Sequence, residues 1–441
     1  MDNSGLFTLY ILILCTITRI NSQCITENDN PTSMNPDAKN LLTAAKFKFT
    51  LDAFRKSSAI EPKDNLFFSP HSLHEALTLV YFGARGTTSE SLRRALQIPQ
   101  HLSKIDVQRI YSLNRAFKNI QEFLGNGSSD YEFRTANRLY ISSAKKVQQC
   151  IVDIFNQEIE KVDFGMDPNA VRVRINDWVS NTTKGQIKDL IPSDGIDETS
   201  DLVLVNAVYF KGLWQSKFDS ANSNRDIFYG SKNSFVTFMR QKTTFNHMVS
   251  EELGAHVLQL PYKGKDISMF IILPPFAMAR SLYEDGTAGD DGIRQVIERM
   301  TTTERGIQEL EDILNDGMPS KEVEVSLPRF TVEKELPVAR LLVEMGAGEL
   351  VSQNAADLSG FVEQPDRVHL GDAVHRAKIE LNEEGTTAAA ATAIFSFRSS
   401  RPAEPAVFKA NHPFIYLLYD KESKSIIFSG IYRTPTTPSE T

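Results

Sequence analysis

Residues 383–401 read EEGTTAAAATAIFSFRSSR, and what this stretch can become decides the architecture. Local propensity alone would allow Thr386 to Ala393 to form a helix or a flexible linker. Its setting between two apolar strand signals supports another reading. A run almost free of charge, made of Ala and Thr, is strand-capable and narrow enough to enter a packed sheet. Gly385 permits a hinge turn, because a residue without Cβ reaches backbone conformations closed to others. On entry, Thr386, Ala388, Ala390, Thr392 and Ile394 would face inward, while Thr387, Ala389 and Ala391 face out. None of the inward set is charged or larger than Ile, so their burial would strand no charge. Phe397, Arg398, Ser399, Ser400 and Arg401 follow as an exposed stretch with basic anchors.

Upstream, Leu202 to Phe210 (LVLVNAVYF) is a continuous apolar run, as expected of a strand buried on both faces. Downstream, Phe414–Tyr419 and Ser425–Tyr432 frame the turn Asp420-Lys-Glu-Ser-Lys, a hairpin. Tyr131–Ile141, Val257–Leu260, Ile267–Leu273 and Val323–Val332 read as further strands. Helical spacing predicts helices over Ala38–Lys56, Ser72–Phe82, Lys104–Leu124 and Val147–Val162, with another starting near Thr88. A length of 441 residues would by itself predict about three domains. Yet no repeat and no Pro/Ser linker divides the chain. Helices crowd the first half and strands the second, which predicts one large α+β unit.

Lys and Arg number 48 against 56 Asp and Glu, a net charge of −8. That balance argues against a dedicated nucleic-acid binder. Leu6 to Ile17 is apolar but shorter than the roughly 20 residues a spanning helix needs, and it fits the core of a signal peptide. Residues 1–22 are therefore expected to be removed after Ser22, leaving an exported, soluble chain with a loose polar arm over 23–37. Cys15 falls in the removed part. Cys24 and Cys150 could pair, stay free or bond another chain; two unpaired thiols are expected. In an exported chain, Asn126-Gly-Ser and Asn181-Thr-Thr become glycosylation acceptors.

Enzyme signatures are missing. His71 and His74-Glu75 invite a metal reading, but the helical zinc motif needs a second His at position 78, which is Thr. There is no GxSxG turn and no GxxxxGK loop. Arg109, Arg115 and Lys118 could offer a glycosaminoglycan a basic helix face, although a solvated face is the preferred reading for an acidic chain.

The chain resembles the serpins, inhibitors of serine proteases, over about residues 38–435. Asn65-Leu-Phe-Phe-Ser-Pro-His-Ser, Asn137-Arg-Leu-Tyr, Ile175-Asn-Asp-Trp-Val and Thr183-Lys-Gly-Gln-Ile carry the resemblance in its first half. Leu204-Val-Asn-Ala-Val-Tyr-Phe-Lys-Gly-Leu-Trp, Ala356-Asp-Leu-Ser-Gly, Asn411-His-Pro-Phe and Phe428-Ser-Gly carry it in the second. The resemblance implies a single domain of about nine helices and three β-sheets, followed by a short tail over 436–441. It implies a reactive loop over about 383–408 whose hinge runs from Glu383 and Glu384 through Gly385 to Thr392. It also implies a gate, or shutter, of Ser69, Ser72, Asn206 and His375, and a breach residue, Trp214, where insertion starts.

In the implied mechanism a protease cleaves the loop and forms an acyl-enzyme. The freed strand then inserts into the main sheet and drags the protease with it. Counting fifteen residues from Gly385 inclusive lands on Ser399, with Ser400 following; a loop shorter by one lands on Arg398. Arg398–Ser399 is preferred, because a guanidinium pairs with the carboxylate of a trypsin-like pocket. Phe397 would serve a chymotrypsin-like enzyme, and Arg401 is disfavoured by Pro402. The expected partner is an extracellular trypsin-like protease and the expected state a monomer. No enzyme activity, cofactor, metal, nucleic acid or membrane is implied. A non-inhibitory serpin carrying a ligand is the alternative.

Overall fold

The computed structural model describes residues 24–26, 35–123, 131–264, 266–276, 292–352, 355–364, 366–385 and 405–435. Residues 1–22, Asn126, Thr386, Thr387, Ala388, Ala389, Ala390, Ala391, Thr392, Phe397, Arg398, Ser399 and Ser400 lie outside them, so the expectations placed there rest on sequence.

Nine α-helices occur among the described residues: α1 (Ala38–Ile60), α2 (Pro70–Gly83), α3 (Gly86–Ala95), α4 (Lys104–Phe123), α5 (Gln149–Ile154), α6 (Pro168–Thr182), α7 (Ile293–Thr302), α8 (Glu304–Asn315) and α9 (Val338–Glu344). Helix α2 shows why the fold needs its sequence. Ser69 caps it by accepting the Ser72 N–H at 3.2 Å, and Pro70 fills the first turn, where no N–H is needed. Almost every side chain of α2 is buried, so it runs through the core instead of over it.

The five-stranded sheet runs β10 (Phe330–Leu336), β11 (Leu370–Leu381), β4 (Leu202–Gly212), β2 (Tyr131–Ser142), β3 (Ile159–Val162). Strands β11 and β4 are parallel neighbours, with His375 opposite Asn206. Strand β4 is buried on both faces, as its unbroken apolar run requires. Leu202 and Leu204 join the main core, whereas Val203, Val205 and Ala207 pack under α6.

The other ladder has nine strands. One group comprises β1 (Leu66–Phe68), β14 (Ser425–Tyr432), β13 (Phe414–Asp420), β8 (Ile267–Leu273) and β7 (Ala255–Pro261). The second comprises β5 (Asn224–Tyr229), β6 (Asn233–Ser250), β9 (Ser320–Pro328) and β12 (Ala406–Lys409). Among the described residues there are thus two hydrogen-bonded sheets where three were expected, because the β6–β7 ladder joins these two groups edge to edge.

Three further expectations are corrected. Val147–Val162 is not one helix. Only Gln149–Ile154 is helical, and Ile159–Val162 pairs with Leu139–Ser142 as strand β3. Val323–Val332 is two strands in different sheets, because Pro328 has no N–H to continue the ladder. Cys24 and Cys150, expected as free thiols, form a disulfide across 126 residues. Cys24 and Ile25 are buried, and Arg85 donates to the Cys24 carbonyl at 3.0 Å. Packing brings the arm onto α5, which no cysteine spacing reveals.

Candidate functional site

The site is the seam between β4 and β11 and the turn that leaves it. Strand β11 ends at Leu381, and the chain reverses at once: Asn382 and Gly385 form an antiparallel bridge around Glu383 and Glu384. Gly385 has φ +83°, a conformation that favours glycine. A Cβ there would lie 2.3 Å from the Trp214 nitrogen and 2.5 Å from the Gly212 oxygen. The turn is thus seated on the end of β4.

Trp214 holds it there. Its backbone N–H donates to the Glu384 carbonyl at 3.1 Å, and its indole Nε1–H donates to the Asn382 carbonyl at 2.9 Å. The indole is buried and stacks on Tyr262 at 4.4 Å. The Phe218 N–H donates to the Glu383 carbonyl at 2.9 Å. The Glu383 carboxylate accepts from the Ser223 hydroxyl at 2.8 Å and pairs with Arg329 at 3.7 Å. Glu383, Glu384, Gly385 and Trp214 are therefore brought together.

The four residues expected to form a gate, Ser69, Ser72, Asn206 and His375, also converge. The Ser69 N–H donates to His375 Nε2 at 3.1 Å, so the ring proton sits on Nδ1 and is given to Asn206 Oδ1. Asn206 Nδ2 donates to Ser72 Oγ at 2.7 Å, and Ser69 Oγ donates to the Ile427 carbonyl at 2.6 Å. Burial lowers the His375 pKa to about 3, keeping the ring neutral. One chain of hydrogen bonds thus crosses the β4/β11 seam and ties it to α2 and β14.

Sequence reasoning missed a strap over the same seam. The connection from α6 to β4 is bonded to β11: Arg376 donates to the carbonyls of Lys188 at 3.1 Å, Asp189 at 3.2 Å and Leu190 at 3.4 Å. Lys378 reaches the Gln186 carbonyl at 3.2 Å. Asn176, inside the Ile175-Asn-Asp-Trp-Val block, exchanges two hydrogen bonds with the Ile191 backbone. Its only sequence signal was an amide among apolar helix positions.

The remaining candidates separate. His74 is buried with Nε2 on the Leu96 carbonyl, and burial lowers its pKa to about 3. Arg115 is engaged by Glu158 at 2.7 Å and by the Ile154 carbonyl at 2.9 Å, and Lys118 donates to Thr135 at 2.8 Å. Arg109 pairs with Asp106 at 3.9 Å, so all three basic residues considered for a polyanion have partners within the fold. Asn181 is exposed at the end of α6, where a glycan has room.

Comparison with known proteins places the chain in a family. The family model Serpin (serine protease inhibitor) matches residues 44–435. Serine protease inhibitor 88Ea of Drosophila melanogaster is 36% identical over 404 residues, covering 88% of each chain. The leukocyte elastase inhibitor of Sus scrofa is 33% identical over 409 residues, covering 89% of this chain and 99% of that one. Two solved structures share the fold. Maspin has a TM-score of 0.76 at 24% identity, covering 90% of this chain and 100% of that one. Human thyroxine-binding globulin has a TM-score of 0.74 at 22% identity, covering 91% and 100%.

Proposed function

The chain belongs to the serpin family, and on that premise we propose that it is a secreted inhibitor trapping trypsin-like serine proteases by a suicide route. The observation that carries this reading is the closed parallel seam with a hairpin rung already made at its end, Asn382 to Gly385. A strand continuing from Gly385 between β4 and β11 would run antiparallel to both. One parallel ladder, slightly weaker per residue, would give way to two antiparallel ones. Serpin loop insertion is an established example of such strand addition.

The chemistry before insertion is acyl transfer. The protease serine adds to the Arg398 carbonyl, the Arg398–Ser399 bond breaks, and Ser399 leaves as a new amino terminus. The enzyme stays esterified to Arg398. Residues from Thr386 onward then enter the seam, carrying the protease, while water competes to hydrolyse the ester. Small inward side chains speed entry; the gate hydrogen bonds and the Arg376 strap must part for it. Arg398 anchors recognition by pairing with the carboxylate of the primary pocket. The relatives named for inhibiting serine proteases and leukocyte elastase support an inhibitory reading. The apolar run Leu6–Ile17 and the disulfide, a bond that persists in oxidising compartments, support export. Asn126 and Asn181 are then the acceptors for glycans.

The test is to mix the purified protein with trypsin. An SDS-resistant adduct and a released peptide beginning at Ser399 are expected. A peptide beginning at Ser400 moves the reactive bond by one residue. Clean digestion without any adduct removes the inhibitor reading in favour of a ligand carrier.

A further inference from the structure

Among the described residues, the two groups of the nine-stranded sheet meet in one ladder, Asn246–Ser250 of β6 against Ala255–Gln259 of β7. Two histidines sit in it. Val249 lies opposite His256 and His247 opposite Leu258, so the two imidazoles are diagonal neighbours on one face. Their ring centroids are 5.6 Å apart. His247 is 2% exposed, and among the described residues neither of its ring nitrogens has a hydrogen-bond partner. A buried polar group in that condition is uncommon. Phe408 of β12 meets the His247 ring edge-on at 5.8 Å. His256 is half-buried beside exposed Val249.

The surrounding charges all oppose a proton on the pair. Burial, then Lys321 of β9, then His256 lower the His247 pKa to about 4. Burial and Lys321 lower that of His256. His412, before β13, is lowered chiefly by burial and also by His256. Several acids of the neighbouring elements are engaged elsewhere. Glu322 of β9 pairs with Lys242, and Asp226 of β5 with Arg240 and Lys409. Glu252 in the β6–β7 turn pairs with Arg305, Glu251 beside it is exposed, and Glu309 of α8 accepts from Ser250. Among the described residues, none of these acids forms an ion pair with either imidazole.

We propose that His247 and His256 form an acid-operated joint, whose protonation opens the β6–β7 ladder and frees the four-strand group. That group holds β12, Ala406–Lys409, paired with β9. The joint is independent of the inhibitor reading. Its direction follows from linkage. The closed ladder holds His247 neutral, whereas the open ladder takes up protons at the ordinary value near 6.5. Protection is complete above about 6.5 and is lost as pH falls toward about 4. Between pH 8 and pH 5, His247 alone should raise the opening constant by about 30-fold.

Hydrogen exchange on the intact protein tests this, with peptides covering 246–260 followed at pH 8 and pH 5 and corrected for intrinsic exchange. Wild type should show the roughly 30-fold rise in this ladder and a smaller one in the β2–β4 ladder. His247→Phe, a ring suited to packing on Phe408, should flatten the rise to within about threefold. An equal rise in that variant, or none in wild type, overturns the proposal. Should His247→Phe fail to fold, His256→Gln decides: losing the like-charged neighbour must shrink the pH dependence, and an unchanged dependence overturns the joint.

Discussion

Gly385 is the residue on which the seam turns. The sequence marked it as a hinge because only glycine tolerates such a turn cheaply. The structure adds a second reason, the 2.3 Å approach that a Cβ would make to the Trp214 backbone. Gly385→Val must therefore unseat the turn from the end of β4 and strain its own φ of +83°. The variant should still be cleaved by trypsin, but the adduct fraction should fall by about tenfold, since strain of roughly 1–3 kcal/mol redirects the partition toward hydrolysis. Stoichiometry of inhibition measures it. His375 shows the reverse case. Its place came from family resemblance, but its tautomer, its bond to Asn206 and its depressed pKa depend on groups 169 and 306 residues away in sequence. No local pattern encodes those.

Among the elements, β4 was legible because burial on both faces leaves an unbroken apolar run. Strand β3 was not, because Ile159–Val162 is four residues long and takes its state from parallel pairing with β2. The segment that matters most for the proposed mechanism is the one that begins at Thr386. If it inserts, Ala390 faces the sheet interior, and Ala390→Glu would bury a carboxylate with no partner. That variant should lose its protease adduct while being cleaved at the same bond. After cleavage it should gain little heat resistance, where the wild type gains much. Melting of intact and nicked samples of both proteins checks the pair of outcomes.

For the whole molecule, the disulfide is the clearest feature beyond sequence reach. Closing a loop of 126 residues between Cys24 and Cys150 stabilises the fold by about 2–5 kcal/mol, largely by restricting the unfolded chain. A Cys24→Ser, Cys150→Ser double variant should lose that much stability to urea and still trap trypsin, because none of the hydrogen bonds that hold the seam and its turn is made by either cysteine. Urea titration and adduct assay together read the two effects. Loss of trapping would mean that the arm braces the sheet as well as the core.

By itself the sequence determined the α+β class, the single large unit, the small uncharged run after Gly385 and the central strand, because each is written in local periodicity or side-chain size. It left open which cysteines meet, which carbonyls Arg376 holds, which ladder carries His247 and where Val323–Val332 divides between sheets. Those are contacts between residues far apart in the chain. Their energies exist only once packing has excluded water and brought the partners within hydrogen-bond range, so the tertiary structure alone decided them.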